Sequence, residues 1–169
     1  MLVKNKSKQT GFTLVELIVV IIILGILSAV ALPKFMSVTD KAYKSAVSGA
    51  TGGLGAGVAL FHAQWVANGH TGAEATVAGF GASDVASNAS GWPIGTDAAL
   101  NDAADCKDIW DGVMQSPPIV DTVAVNIAGA DYQAAFSTPT CTYTFAPDTT
   151  VTRSITYNTT TGVVASTNP

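Results

Sequence analysis

The chain predicts an α+β fold, with one long N-terminal helix packed on a C-terminal antiparallel β-sheet. Three observations carry this expectation. Phe12 to Leu32 reads FTLVELIVVIIILGILSAVAL, an apolar run whose only charge is Glu16. Tyr43, Val47, Ala50, Leu54, Val58, Phe61 and Trp65 then recur at steps of three and four, the spacing of one helix face. The last third alternates apolar and polar residues between turn signals, the period of half-buried strands. In 169 residues this is one domain plus an apolar segment, not two domains.

The apolar run comes first. As a helix rising about 1.5 Å per residue it is roughly 31 Å long, enough to cross a bilayer core of about 30 Å. Lys4, Lys6 and Lys8 precede it and, by the positive-inside bias, hold the N-terminus in the cytoplasm. Five basic and twelve acidic residues follow Gly11, a balance of −7, and all but Glu16 lie beyond the apolar run, in a body placed outside the cytoplasm. An acidic body argues against nucleic acid, whose phosphates need clustered Lys and Arg. Cys106 and Cys141 form an even pair with no CxxC or zinc-like spacing. In an exported body such a pair reads as one disulfide, with two unrelated buried thiols as the alternative.

The basic stretch and apolar run admit three readings. A secretory signal has support from Ala29-Val30-Ala31, which matches the small-x-small cleavage pattern, but Glu16 sits where the apolar core should begin. A plain signal anchor leaves Glu16 unexplained, and a carboxylate inside such a segment is costly. The third reading rests on KQTGFTLVELIVVIIILGILSAVALPKF, Lys8 to Phe35, which resembles the type IV prepilins. Gly11 stands at the processing glycine and Phe12 at the new N-terminus. Glu16 is the glutamate four residues on, Gly25 the mid-helix glycine and Pro33 the closing proline.

That resemblance implies a leader at 1–11, a transmembrane and later filament-core helix at 12–33, an amphipathic spine at 34–68 and a head at 69–169. A prepilin peptidase cuts after Gly11 and methylates the amine of Phe12. The cationic amine of one subunit can then meet the Glu16 carboxylate of a neighbour, which offsets the cost of burying either charge and fixes register; a carboxylate snorkelling to the interface is the alternative. Filaments of this family locally unwind between positions equivalent to Gly25 and Pro33, although a kink at Pro33 needs no more than proline itself. The PKF exit and acidic two-cysteine body most resemble the mannose-sensitive haemagglutinin pilins, which implies surface attachment and biofilm formation. The implied partners are further copies of the chain, the peptidase, the pilus assembly platform and the inner membrane, with a glycan or abiotic surface as receptor. The expected route runs from the inner membrane to an extracellular pilus. A type II secretion pseudopilin and a minor pilin are the nearest rivals, and a membrane-anchored binding domain is a third.

Beyond the membrane segment, Gly49, Gly52, Gly53, Gly55 and Gly57 crowd the spine helix, which ends near Asn68-Gly69. Either they let the sheet approach closely or they mark a joint. Residues 69–90 read as a loop with one short strand near Ala75–Phe80. Asp97–Met114 holds a helix with Cys106, Ile109, Trp110 and Val113 inward. Strands are expected at Val120–Ile127, at Cys141–Phe145 and within Val151–Tyr157, with turns at Pro147-Asp148 and Thr161-Gly162.

The candidate sites are weak. Asp102, Asp105, Asp108 and Asp111 use calcium's ligand type, but their three-residue steps rotate around a helix, so a solvated acidic face is expected. His62 and His70 have no clustered cysteine or carboxylate, so no metal or cofactor is expected. Trp65, Trp92 and Trp110 read as core or packing residues rather than a sugar platform, although Trp92 in SGWPIG is loop-borne and open to exposure. Asn88-Ala-Ser90 and Asn158-Thr-Thr160 match the N-glycosylation sequon by letter only. No catalytic constellation is present, so no enzyme is expected.

Overall fold

The structure, a computed structural model, describes residues 11–82, 84–122 and 129–169. The first helix, α1, spans Leu14–Ala67 and continues through Pro33 and all five crowded glycines. It ends where Gly69 takes a positive φ of 75°, with Asn68, Gly69 and His70 N–H groups closing back onto Gln64, Val66 and Trp65 carbonyls. The chain divides into two units, one reaching to Lys41 and the other Ala42–Pro169. In the first, the large apolar side chains between Phe12 and Val38 are exposed. Its helix is long and apolar enough to cross a membrane.

In the second unit, the spine buries Val47, Ala50, Leu54, Val58, Phe61 and Trp65, while Tyr43 packs edge-on against Phe145 with ring centroids 5.3 Å apart. Each fully buried side chain of Leu, Val or Phe size contributes about 1.5–3 kcal/mol relative to exposure. A Cβ on Gly55 would only reach ordinary contact with Val164 of the sheet, 3.9 Å away, so the sheet does not require glycine there. A Cβ on Gly57 would lie 2.2 Å from the carbonyl oxygen of Val113, so the close neighbour is the end of the second helix.

That helix, α2, spans Ala103–Val113 and turns Cys106, Ile109, Trp110 and Val113 inward. It starts later than Asp97 because Asp102 caps it. Before it, β1 (Ala86–Ser87) and β2 (Pro93–Gly95) pair antiparallel. The strand expected near Ala75–Phe80 is not formed. Glu74 bridges Ser87 instead, and the chain then turns at Gly79, whose φ is +83°.

The main sheet runs β3 (Val120–Asp121), β4 (Tyr132–Ser137), β5 (Thr140–Phe145), β6 (Ser154–Asn158) and β7 (Val164–Thr167), in that order. From β4 to β7 it is an antiparallel meander, but β3 joins β4 in parallel, with Val120 opposite Tyr132, so the sheet is mixed rather than purely antiparallel. The strand expected over Val120–Ile127 is described only at Val120–Asp121, because 123–128 lie outside the described residues. Tyr132 and Ala134, then Cys141, Tyr143 and Phe145, then Ile155 and Tyr157 line the buried face. The result is an α+β head with the helix on one face of the sheet.

Candidate functional site: the helix N-terminus and the head

Gly11 and Phe12 precede the helix, and Phe12 is 88% exposed. Thr13 and Glu16 bracket the first turn. The Glu16 Oε2 accepts from both the Thr13 N–H and the Thr13 hydroxyl at 2.8 Å, and the Thr13 Oγ1 accepts the Glu16 N–H at 3.3 Å. This is a capping box, in which a threonine and a glutamate three residues on satisfy each other's backbone donors. Sequence reading missed Thr13, although T-x-x-E before an apolar run is the signature of that box. Glu16 therefore has a partner within its own chain, and its charge lies at the helix end where the macrodipole favours an anion. Gly25 is exposed, and a Cβ there would meet nothing within 4 Å, so no packing among the described residues requires glycine. Pro33 lies within α1 and is exposed.

In the head, Cys106 and Cys141 are joined by a disulfide, tying α2 to β5, and both are fully buried. Beside it the Tyr143 hydroxyl donates to the Cys106 carbonyl at 2.7 Å, and burial holds the pKa of that phenol well above its ordinary value. The four aspartates do not form one solvated face. Asp102 caps α2, accepting the N–H groups of Ala104 and Asp105 at 2.7 and 3.3 Å. Asp105 is buried, because its carboxylate returns to accept the N–H groups of Asn101 and Asp102 at 2.6 and 3.1 Å. Asp108 accepts the Thr96 hydroxyl at 2.6 Å, and Asp111 pairs with Lys107. Among the described residues no three His, Cys, Asp or Glu side chains are placed to hold a metal.

The histidines sit in an aromatic ladder at the end of α1. His62 stacks on Trp92 with centroids 4.0 Å apart and on Trp65 at 5.7 Å, and its Nδ1 lies 3.1 Å from the Gly91 carbonyl. His70 does have a carboxylate partner, Glu74 at 3.0 Å. Trp92 is not an open platform. One of its faces carries His62, and a Cβ on Gly162 would fall 2.4 Å from its ring, so backbone closes in there too. The two sequon asparagines are engaged as well. The Asn88 carbonyl oxygen accepts from Ser90 and Trp92 while its amide donates to the Thr159 carbonyl, and Asn158 accepts from Thr160 and Thr161.

The family model "Prokaryotic N-terminal methylation motif" matches residues 6–32, the stretch that contains Gly11, Phe12 and Glu16. The chain is similar to type IV pilins, to fimbrial proteins and to a secretion-system component. It is 46% identical over 57 residues to a type IV major alpha-pilin of Moraxella bovis, covering 32% of this chain and 36% of that one. It is 44% identical over 45 residues to type II secretion system core protein G of Pseudomonas aeruginosa, covering 27% and 32%. A longer match, 37% over 90 residues, reaches fimbrial protein EcpC of Eikenella corrodens and covers 51% of this chain and 59% of that one. Apart from that match, the chain spans about a third of the length of these relatives. No solved structure gives a significant match. The family model thus covers the start of the helix that holds the capping box.

Proposed function

We propose that this chain is a type IV prepilin whose mature form, Phe12 to Pro169, polymerises into an extracellular pilus for surface attachment and biofilm formation. The observation that carries the reading is the methylation motif at residues 6–32, with Gly11, Phe12 and Glu16 leading directly into the exposed apolar helix. Cutting after Gly11 would keep the hydrophobic segment, whereas an ordinary secretory signal loses it. The exposed large apolar side chains of residues 12–38 need a cover, first lipid and then neighbouring copies. In this reading a prepilin peptidase cuts on the cytoplasmic side and methylates Phe12, and an assembly platform draws the subunit from the inner membrane. Glu16 then exchanges or shares its bonds to Thr13 with the amine of a neighbour. The leader is 1–11, the core helix 12–33, the spine 34–68 and the head 69–169. The mannose-sensitive haemagglutinin subfamily is favoured by the PKF exit and the acidic disulfide-bonded head.

A type II secretion pseudopilin is the second reading, because a type II secretion system core protein G is 44% identical over 45 residues. The names of the relatives are those of pilins, fimbrial proteins and a secretion component, and none is an enzyme's. The test is to shear cells and measure the intact mass and N-terminus of any filament subunit recovered. Methylated Phe12 at the N-terminus of a surface filament supports the pilus reading. A soluble exported chain starting at Leu32 overturns it, and a processed chain confined to the envelope selects the pseudopilin.

A further inference from the structure

The head carries an open groove of about 410 Å³ walled by Tyr43, Phe145, Pro118 and Pro147, with Asp131 and Tyr132 along one side. Its lining is mostly aromatic, prolyl and alanyl carbon, with Asp131 the one acidic residue. Asp131 accepts the Ile119 N–H at 3.0 Å, and its carboxylate lies close enough to act on the neighbouring phenol. Burial first, and that charge second, push the Tyr132 hydroxyl up to about 12. The Tyr132 oxygen is buried without a hydrogen-bond partner, which few buried hydroxyls are. Such a groove suits an apolar body with a cation beside it.

The chain offers one segment of that chemistry. Among the described residues, Phe35 alone of the exposed large apolar side chains directly follows a basic residue, Lys34. Phe35 is 71% exposed and lies beyond the proline that closes the apolar run. We propose that Lys34-Phe35 of one copy docks into the Tyr43–Phe145 groove of a second copy, with Phe35 against the aromatic walls and the Lys34 ammonium facing Asp131. The partner is thus another copy of this chain, and the inference rests on the filament reading above. The carboxylate at the rim fixes which copy and which register are accepted, since opposite charges across an interface act mainly on specificity.

The test uses sheared filaments from cells co-expressing two full-length single variants, Phe35→Cys and Ala46→Cys, the latter on the helix wall of the groove. The expected result is a cross-linked dimer on non-reducing gels only when both variants are present. In parallel, Lys34→Asp should lower filament yield roughly tenfold, and adding Asp131→Lys should restore most of it. Membrane abundance of processed subunit controls for folding in each case. Filaments that contain both cysteine variants without cross-linking would overturn the docking. So would cross-linking of Ala46→Cys to a Phe12→Cys variant in place of Phe35→Cys. Wild-type cells that make no filament from this chain would instead overturn the subunit reading, and the docking with it.

Discussion

Gly57→Ala is expected to destabilise the head although alanine is the better helix former. The added Cβ would sit 2.2 Å from the Val113 carbonyl oxygen, 2.9 Å from its carbonyl carbon and 3.2 Å from its Cγ2. The first two are backbone at the end of α2, which cannot rotate aside, and the disulfide from Cys106 further holds that helix in place. Overpacking costs typically 1–3 kcal/mol, and a contact this short against backbone belongs at the upper end. Replacing glycine in a helix returns about 1 kcal/mol. The net expectation is a loss of about 2 kcal/mol, or roughly 5–10 °C in Tm for a unit of this size.

Gly52→Ala is the internal control. Its Cβ meets nothing within 4 Å, so only the propensity gain of about 1 kcal/mol should appear. The two variants should therefore differ by about 3 kcal/mol with opposite signs. Denaturant unfolding of the detergent-solubilised protein, followed by tryptophan fluorescence, reads this directly, because Trp65, Trp92 and Trp110 all lie in the second unit, Ala42–Pro169. A Gly57→Ala protein as stable as Gly52→Ala would refute the claim that this glycine exists for the approach of α2.

Glu16→Ala should leave the chain cleaved and in the membrane but out of filaments, whereas Thr13→Ala, which breaks only the capping box, should cost about 1 kcal/mol at the helix end and leave filament yield near normal; equal loss in both, read by shearing and immunoblot, would make the cap itself the essential feature. Replacing Cys106 and Cys141 with serine should lower head stability by about 4 kcal/mol, given the 35-residue separation that the bridge closes, as measured by the same unfolding assay. The Asp148 carboxyl is held below its ordinary 3.8 by the Thr150 hydroxyl, then by the Thr150 and Val151 N–H groups and the charge of Arg153. Its folded pKa being depressed, its contribution is present above pH 3.8 and is lost as pH falls through the folded value, so an acid titration of Asp148→Asn should show a shallower loss of stability below about pH 4 than the wild type. The phenols of Tyr143, Tyr157 and Tyr132 are all raised by burial, so their contribution is intact below pH 10 and is lost as pH climbs past it. The head should accordingly unfold in strong alkali as the tyrosines ionise, visible as a rise in phenolate absorbance coincident with loss of tryptophan signal.

The parts of the fold that were legible in the sequence are those governed by a strict period. Val47 to Trp65 mark the buried face of α1, and Cys141, Tyr143 and Phe145 that of β5, because each stretch keeps one period without interruption. Strand β4 escaped notice because Ala134 and Ala135 replace branched or aromatic residues in its middle, leaving Tyr132 and Phe136 too isolated to show alternation. The parallel pairing of β3 on β4 depends on contacts distant in sequence and has no local signal. Arg153 shares the inward face with Ile155 and Tyr157 and is fully buried, contrary to what its charge suggests. The period was right there and the charge misleading, because Asp148 lies 3.2 Å from its Nε and the Pro169 carbonyl accepts from its Nη1. In the N-terminal segment Gly11, Phe12 and Glu16 were readable as a motif. Thr13 was equally readable as a cap, but the rarity of a carboxylate in an apolar run drew the explanation away from its nearest neighbour.

That competition between a local and an intermolecular account of Glu16 can be resolved because α1 carries two kinds of apolar surface. The large side chains between Phe12 and Val38 are exposed, and none of them belongs to the head's core cluster. Leu54 and Phe61 are fully buried, and truncating either to alanine should cost about 2–5 kcal/mol. Against a total of roughly 5–15 kcal/mol, such a loss depletes folded subunit. A head-core variant therefore loses filaments by losing protein. A variant at Glu16 that acts through neighbouring copies loses filaments while processed subunit accumulates in the membrane. Filament yield alone cannot separate the two, but yield divided by membrane-held subunit can, and on that ratio Glu16→Ala should fall far below Leu54→Ala.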